Sequence, residues 1–213
     1  ALLRETLYKT KEYLAKKEAA KDDITKMPAY DMKLEAMIPV IKKELPLKCH
    51  AHRADDILTV IRIAKEFDVH VTLDHCTDGE IIKKQIKESG YPAIIGPALT
   101  HKSKFELASK SFTTPGVLCK EGILIAITTD SPVVPQEYLP LCAALAMKDG
   151  LPEEEALKAI TINPAKILGL DKRIGSIEVG KDGDLIICDS SLLDTQNIIR
   201  YTLINGEIVY HKA

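Results

Sequence analysis

Apolar and polar positions along this chain pass through three regimes. Over residues 1 to about 20, Leu3, Leu7 and Leu14 make a thin apolar stripe among Lys, Glu and Ala, which predicts a helix with much solvated surface. Asp31 then offers an N-cap to Leu34, Met37, Ile38, Ile41 and Leu45, spaced as in a second helix that Pro39 is expected to bend or restart.

From Leu47 short strands and helices alternate. Leu47 to Ala51 reads as a strand, and Asp55 and Asp56 follow where negative charge meets the positive end of a helix dipole. Ile57, Val60, Ile61, Ala64 and Phe67 form the buried face of that helix. Val69 to Asp74 is the next strand, ending at His75. Gly79 leads into a helix carrying Ile81, Ile82 and Ile86 and stopped by Gly90. Ala93-Ile94-Ile95 is a third strand ended by Gly96-Pro97. A short helix at Val117 to Lys120 precedes a fourth strand, Ile123 to Thr128, which ends at Asp130.

Beyond it come helical stretches at Tyr138 to Met147 and Glu153 to Ile160, the latter opened by Pro152. Asn163-Pro164 is expected to cap a short third helix that ends at Gly169. From Ile174 the pattern turns to Gly-rich β-structure of about four strands: 175–180, 184–188, 198–204 and 208–210. Asn205-Gly206 is a hairpin turn between the last two.

Four consecutive βα units imply a parallel sheet covered by helices, as in a doubly wound fold or a (β/α)8 barrel. No GxGxxG follows any strand, so dinucleotide binding has no support. His50, His75 and Asp130 each sit at or near the C-terminal end of a different strand, where barrel enzymes build their sites, and this favours the barrel.

Composition narrows the partners. A net charge of −2 gives no electrostatic reason to bind nucleic acid or an anionic membrane. No apolar run approaches the roughly 20 residues of a membrane span. Five scattered cysteines without a CxxC pair fit reduced thiols, so a cytoplasmic protein acting on a small molecule is expected.

His50 and His52 lie two apart, so their side chains share a strand face, and paired neutral imidazoles are common metal ligands. The bland reading is two hydrogen-bonded histidines at a strand end. His75 ends the adjacent strand. Asp130 could simply cap the helix after it, but beside these histidines it is a candidate for moving protons to and from a metal-activated water.

Lys48-Cys49-His50-Ala51-His52, Asp74-His75, Thr128-Thr129-Asp130, Thr161-Ile162-Asn163-Pro164-Ala165 and the Gly175 to Asp184 segment occur in the order seen in the amidohydrolase superfamily. The flavour resembles imidazolonepropionases and dipeptidase-like members, and the match spans essentially residues 47–213. The resemblance implies an α/β fold: the second half of a TIM-like (β/α)8 metallo-hydrolase barrel plus the C-terminal strands of a small β-sandwich. Residues 1–46 would lead into the barrel, 47–172 would be its C-terminal half, and 173–213 would be sandwich strands. It further implies a hydrolase of amide or cyclic amide C–N bonds using one or two divalent ions, with zinc the first choice. His50 and His75 would be metal ligands, and Asp130 both ligand and proton shuttle. His52, Arg53 and His101 would contact substrate, although a solvated loop position is the bland reading of His101. His70 and His211 read as ordinary structural or surface histidines. The family's first-strand HxH pair and its strand-four ligand have no counterpart here. The N-terminal half of the barrel is therefore expected as a further part, and activity is expected only in the complete protein. The alternatives are a non-catalytic remnant or split-subunit module binding a small molecule or partner chain, and association into a homo-oligomer.

Overall fold

The computed structural model describes residues 1–212, so Ala213, the last residue of the expected β-unit, lies outside the described residues. The four short apolar runs form strands β1 (Leu47–Ala51), β2 (Val71–His75), β3 (Ala93–Ile95) and β4 (Ile125–Ile127). They pair in parallel, in the order β1-β2-β3-β4. Their register sorts side chains into two sets. Leu47, Cys49 and Ala51 align with Val71, Leu73 and His75, while Lys48 and His50 align with Thr72 and Asp74. Of the first set, Ala51, Val71 and Leu73 belong to the apolar core with Ala93, Ile95, Ile125 and Ile127, and Leu47 and Cys49 pack against it.

Helices cover that core. They are α1 (Leu2–Ala20), α2 (Met32–Ile41), α3 (Ala54–Phe67), α4 (Lys83–Ser89), α5 (Thr113–Lys120), α6 (Leu139–Lys148), α7 (Glu153–Lys158) and α8 (Ile162–Ile167). Helix α3 buries Ile57, Ile61, Ala64 and Phe67, the face its 3.6-residue period marks out. Asp31 caps α2 by accepting from the backbone N–H groups of Lys33 and Leu34. That helix runs through Pro39 without restarting and stops two residues later. No helix among the described residues is long and apolar enough to cross a membrane.

Several expected boundaries shift for physical reasons. Helix α4 begins at Lys83 rather than after Gly79, and Ile81 is exposed while Ile82 and Ile86 are buried. Residues 77–82 instead make tight turns, with Gly79 N–H donating to Cys76 O (2.9 Å). A Cβ on Gly79 would lie 2.8 Å from that same oxygen, so the turn is packed onto Cys76. Helix α5 starts four residues before Val117. Asn163 lies within α8 rather than capping it, because its amide is used elsewhere: Nδ2 donates to Ile125 O (3.0 Å). With Ile127 N–H donating to Ala159 O (2.9 Å), this occupies the edge of β4 that faces away from β3.

A separate antiparallel sheet follows, with strands β5 (Leu185–Cys188), β6 (Ile199–Ile204) and β7 (Glu207–His211) in that order. It has three strands, not the expected four. Residues 175–180 are not a strand: Gly175 and Gly180 have positive φ, and Ile177 and Val179 are exposed. Asn205 and Gly206, with φ of 52° and 80°, form the hairpin turn between β6 and β7.

Candidate metal centre at the strand ends

Among the described residues, His50, His52 and His75 form one group whose ligand atoms all lie within 4.8 Å of one another. His50 is on β1, and His52 follows that strand at the same parity. His75 belongs by alternation with Leu73, in the core-facing set. Yet its ring centroid lies 4.2 Å from that of His50 and 4.7 Å from that of His52. The backbone accompanies that departure: φ is 72° at His75 and 48° at Cys76, left-handed values that L-residues seldom adopt. Asp130, at the end of the β4 segment, is left-handed as well (φ 52°). Such conformations gather where surrounding structure enforces them, often at functional sites.

Two of the three rings are held by protein atoms. His75 Nδ1 donates to Gly96 O at 2.6 Å, which leaves Nε2 with the free lone pair. His52 Nδ1 lies 2.7 Å from Thr77 Oγ1 in a buried hydrogen bond. His52 and His75 are both buried, whereas His50 is exposed. Burial, and then the neighbouring His75 and His50, pushes the His52 imidazole down to about 4, so it is neutral near pH 7.

The loops after β1 and β2 are clasped together. Cys76 N–H donates to Ala51 O (3.0 Å) and Asp78 N–H to His52 O (2.8 Å). The Asp78 carboxylate in turn accepts from Ala54 N–H (3.0 Å), capping the first turn of α3 from a neighbouring loop.

Asp130 is not in the histidine group. It is exposed, and it lines with His75 a cavity of about 410 Å³ whose walls include Ile94, Ala126, Ile160 and Ile167. Lys48 and Asp74 line the same cavity, with Lys48 Nζ 3.1 Å from an Asp74 oxygen. Thr72 Oγ1 also donates to Asp74 (2.7 Å). Arg53 pairs with Asp55 (2.9 Å), and its guanidinium lies 5.7 Å from the centre of the exposed Phe105 ring. His101 is exposed, and its backbone oxygen accepts from Lys110 Nζ (2.8 Å). It lines neither this cavity nor the crevice beside His52 and His75, which Lys110 lines instead.

Sequence reasoning thus missed Thr77, Asp78 and Lys110, and gave Lys48 and Asp74 no role. The signal for Lys48 was present, since it lies two residues before His50 on the same strand face. Thr77, Asp78 and Lys110 sit in connections whose path no periodicity predicts.

The chain matches the model of the Amidohydrolase family over residues 16–209. It is similar to the imidazolonepropionase of Picrophilus torridus, with 32% identity over 175 residues, covering 78% of this chain and 43% of that protein. It is 36% identical over 138 residues to the 5-methylthioadenosine/S-adenosylhomocysteine deaminase of Thermoanaerobacter pseudethanolicus, covering 58% of this chain and 30% of that protein. A crystal structure of an amidohydrolase from Thermotoga maritima MSB8 superposes with a TM-score of 0.94 at 42% identity, covering 99% of this chain and 55% of that one. The chain therefore spans less than half the length of these two curated relatives. With the family pattern running through both sheets and the histidine cluster, the chain belongs to the amidohydrolase family.

Proposed function

We propose that this chain carries part of the active site of a metal-dependent hydrolase that cleaves amide or cyclic amide C–N bonds. In this reading its four parallel strands are the second half of a (β/α)8 barrel, and β5, β6 and β7 are strands of a small β-sandwich beside it. The observation that carries the reading is the histidine cluster, with His75 Nδ1 spent on Gly96 O and its Nε2 left free. Histidines that hold divalent ions generally commit their second nitrogen to such an acceptor, so the donor set fits the group. The resemblance to an imidazolonepropionase and to a deaminase supports C–N chemistry.

His50 and His75 would hold a divalent ion, zinc being the first choice for imidazole ligands. When bound, the ion supplies a water acidic enough to react near neutral pH and polarises the scissile carbonyl. Asp130 lines the cavity with His75 and would serve as the group that accepts a proton from the attacking water and passes it to the leaving nitrogen. The left-handed backbone at Asp130 presents its carboxylate at the end of the β4 segment. His52 and Arg53, which follow β1, would touch substrate at the mouth.

The test is elemental analysis of the purified protein beside His50→Ala and His75→Ala, with turnover of a panel of small cyclic amides by the longer protein. Near-stoichiometric metal lost in both variants, with turnover reduced at least about a hundredfold by Asp130→Asn, is the expected outcome. A longer protein that holds no metal and turns over none of the panel overturns the reading.

A further inference from the structure

We infer that Phe105 is a specificity-determining residue: its ring, facing the Arg53 guanidinium at the mouth beside the histidine cluster, receives an aromatic group carried by the substrate. The inference deepens the hydrolase reading and takes the reaction from it, while the contact itself stands on the loop that follows β3.

That loop is braced, so Phe105 is a fixed projection. Lys102 Nζ donates to Ala108 O (2.9 Å), and Lys110 Nζ donates to His101 O (2.8 Å) and to Thr100 Oγ1. Between these ties Phe105–Leu107 make one 3₁₀ turn, with Leu107 N–H donating to Lys104 O and Ala108 N–H to Phe105 O, each at 3.0 Å. The turn places its residues on two sides. Leu107 lines the crevice beside His52 and His75, whereas Phe105 lines the adjoining groove of about 360 Å³ with Arg53, Asp55 and Asp78. Glu106 and Lys104 are close enough for their charges to act on the His52 imidazole, after burial and the other two histidines. The ring therefore stands at the rim of the site, 5.7 Å from the guanidinium of the residue that follows His52.

Charge at this rim is already committed. Arg53 Nε and Nη2 each donate to an Asp55 oxygen at 2.9 Å. The Asp78 carboxylate accepts from Ala54 N–H, and Lys104 pairs with Glu106 (3.5 Å). The Lys102 and Lys110 ammoniums are turned to oxygens of their own loop. What remains free is the Phe105 ring, 83% exposed. The chain has three phenylalanines and no tryptophan, and with Phe67 buried and Phe112 half-buried the one exposed phenylalanine lies at the site. A lone exposed apolar side chain is ordinary on a protein surface. Held on a braced loop at the ends of the strands, it is a recognition surface. Aromatic groups meet such a ring offset-stacked or edge-on and gain more than area burial alone supplies. The flat guanidinium of Arg53 extends that surface.

The test uses the longer protein and pairs of cyclic amides that carry a benzyl or a methyl substituent at the same ring atom. The benzyl member is expected to have a kcat/KM at least about tenfold higher. Phe105→Ala should raise KM for the benzyl compounds about 10- to 30-fold with kcat unchanged, the mark of a contact made equally in ground and transition states, and should leave the methyl compounds within about twofold. Phe105→Trp should keep the preference. Equal losses for both members of a pair in Phe105→Ala, or no preference in the unsubstituted protein, overturn the inference and leave the hydrolase reading standing. If no pair is turned over, calorimetry decides. Benzyl compounds that bind more weakly to Phe105→Ala uphold the contact without the reaction, and compounds that bind both proteins alike, or neither, overturn it.

Discussion

The ring of His75 donates from Nδ1 to the backbone oxygen of Gly96 at 2.6 Å, so the turn after β3 sets the orientation of a side chain at the end of β2. Gly96 has φ +128°, and a Cβ there would lie 2.2 Å from Thr128 O. Neither the dihedral nor the space admits another residue. Gly96→Ala is therefore expected to move the carbonyl that aims His75. Destabilisation of about 2 kcal/mol or more should appear in urea unfolding. Metal affinity should fall about 10- to 100-fold, the usual cost of losing an outer partner of a ligating histidine. A variant with unchanged unfolding midpoint and metal titration would show that this hydrogen bond does not position the ring.

Asp78 joins two loops and a helix, taking the N–H of Ala54 on its carboxylate while its own N–H reaches His52 O. Asp78→Ala should cost about 1 kcal/mol, as for loss of a helix cap. Asp78→Asn, which keeps an acceptor oxygen, should retain most of the stability. Thermal melts of the two variants check this, and equal melting temperatures for Ala and Asn would refute the capping role.

Asn163 is buried and satisfies the carbonyl of Ile125 on the edge of β4. In Asn163→Leu that carbonyl loses its partner in a buried place, at a cost of about 1–3 kcal/mol. Loss of protection at neighbouring amides of β4 in hydrogen exchange should accompany the change. A fully protected Ile127 amide in the variant would mean that the edge is held without the asparagine.

Two thiols beside the histidines should be slow to react. Burial, then Asp74, pushes the Cys49 thiol up to about 11, and burial, then Asp78, pushes Cys76 up to about 12. The nucleophile is the thiolate, and a raised pKa lowers its fraction at any pH below that value. At pH 8 the thiolate population of Cys49 should be about a hundredfold below that of an unshifted thiol, with Cys76 lower still. Iodoacetamide labelling followed by peptide mass spectrometry should show the rate at Cys49 still rising about tenfold per pH unit between pH 8 and 10, where an ordinary thiol levels off. A plateau near pH 9 would contradict the burial argument.

The sequence by itself determined the alternation of parallel strands and covering helices, because each element must bury one face and its period shows in the apolar positions. Strand β1 and the extent of β3 were legible to the residue, as was the Asn205-Gly206 hairpin, whose two left-handed residues leave a compositional mark. The pairing of His50 with His52 was legible because a strand repeats every two residues. Only the tertiary structure decided the rest of the site. His75 reaches the cluster against its strand parity, through a left-handed turn held by the loops around it. Asp130 lines a cavity with His75 yet stays outside the histidine group, Lys110 rather than His101 lines the crevice beside His52 and His75, and Asn163 turns from a cap into the partner of a strand edge. Periodicity reports which face of one element is buried. It carries no information about distances between elements, or about loop backbones whose conformation is enforced by what packs against them.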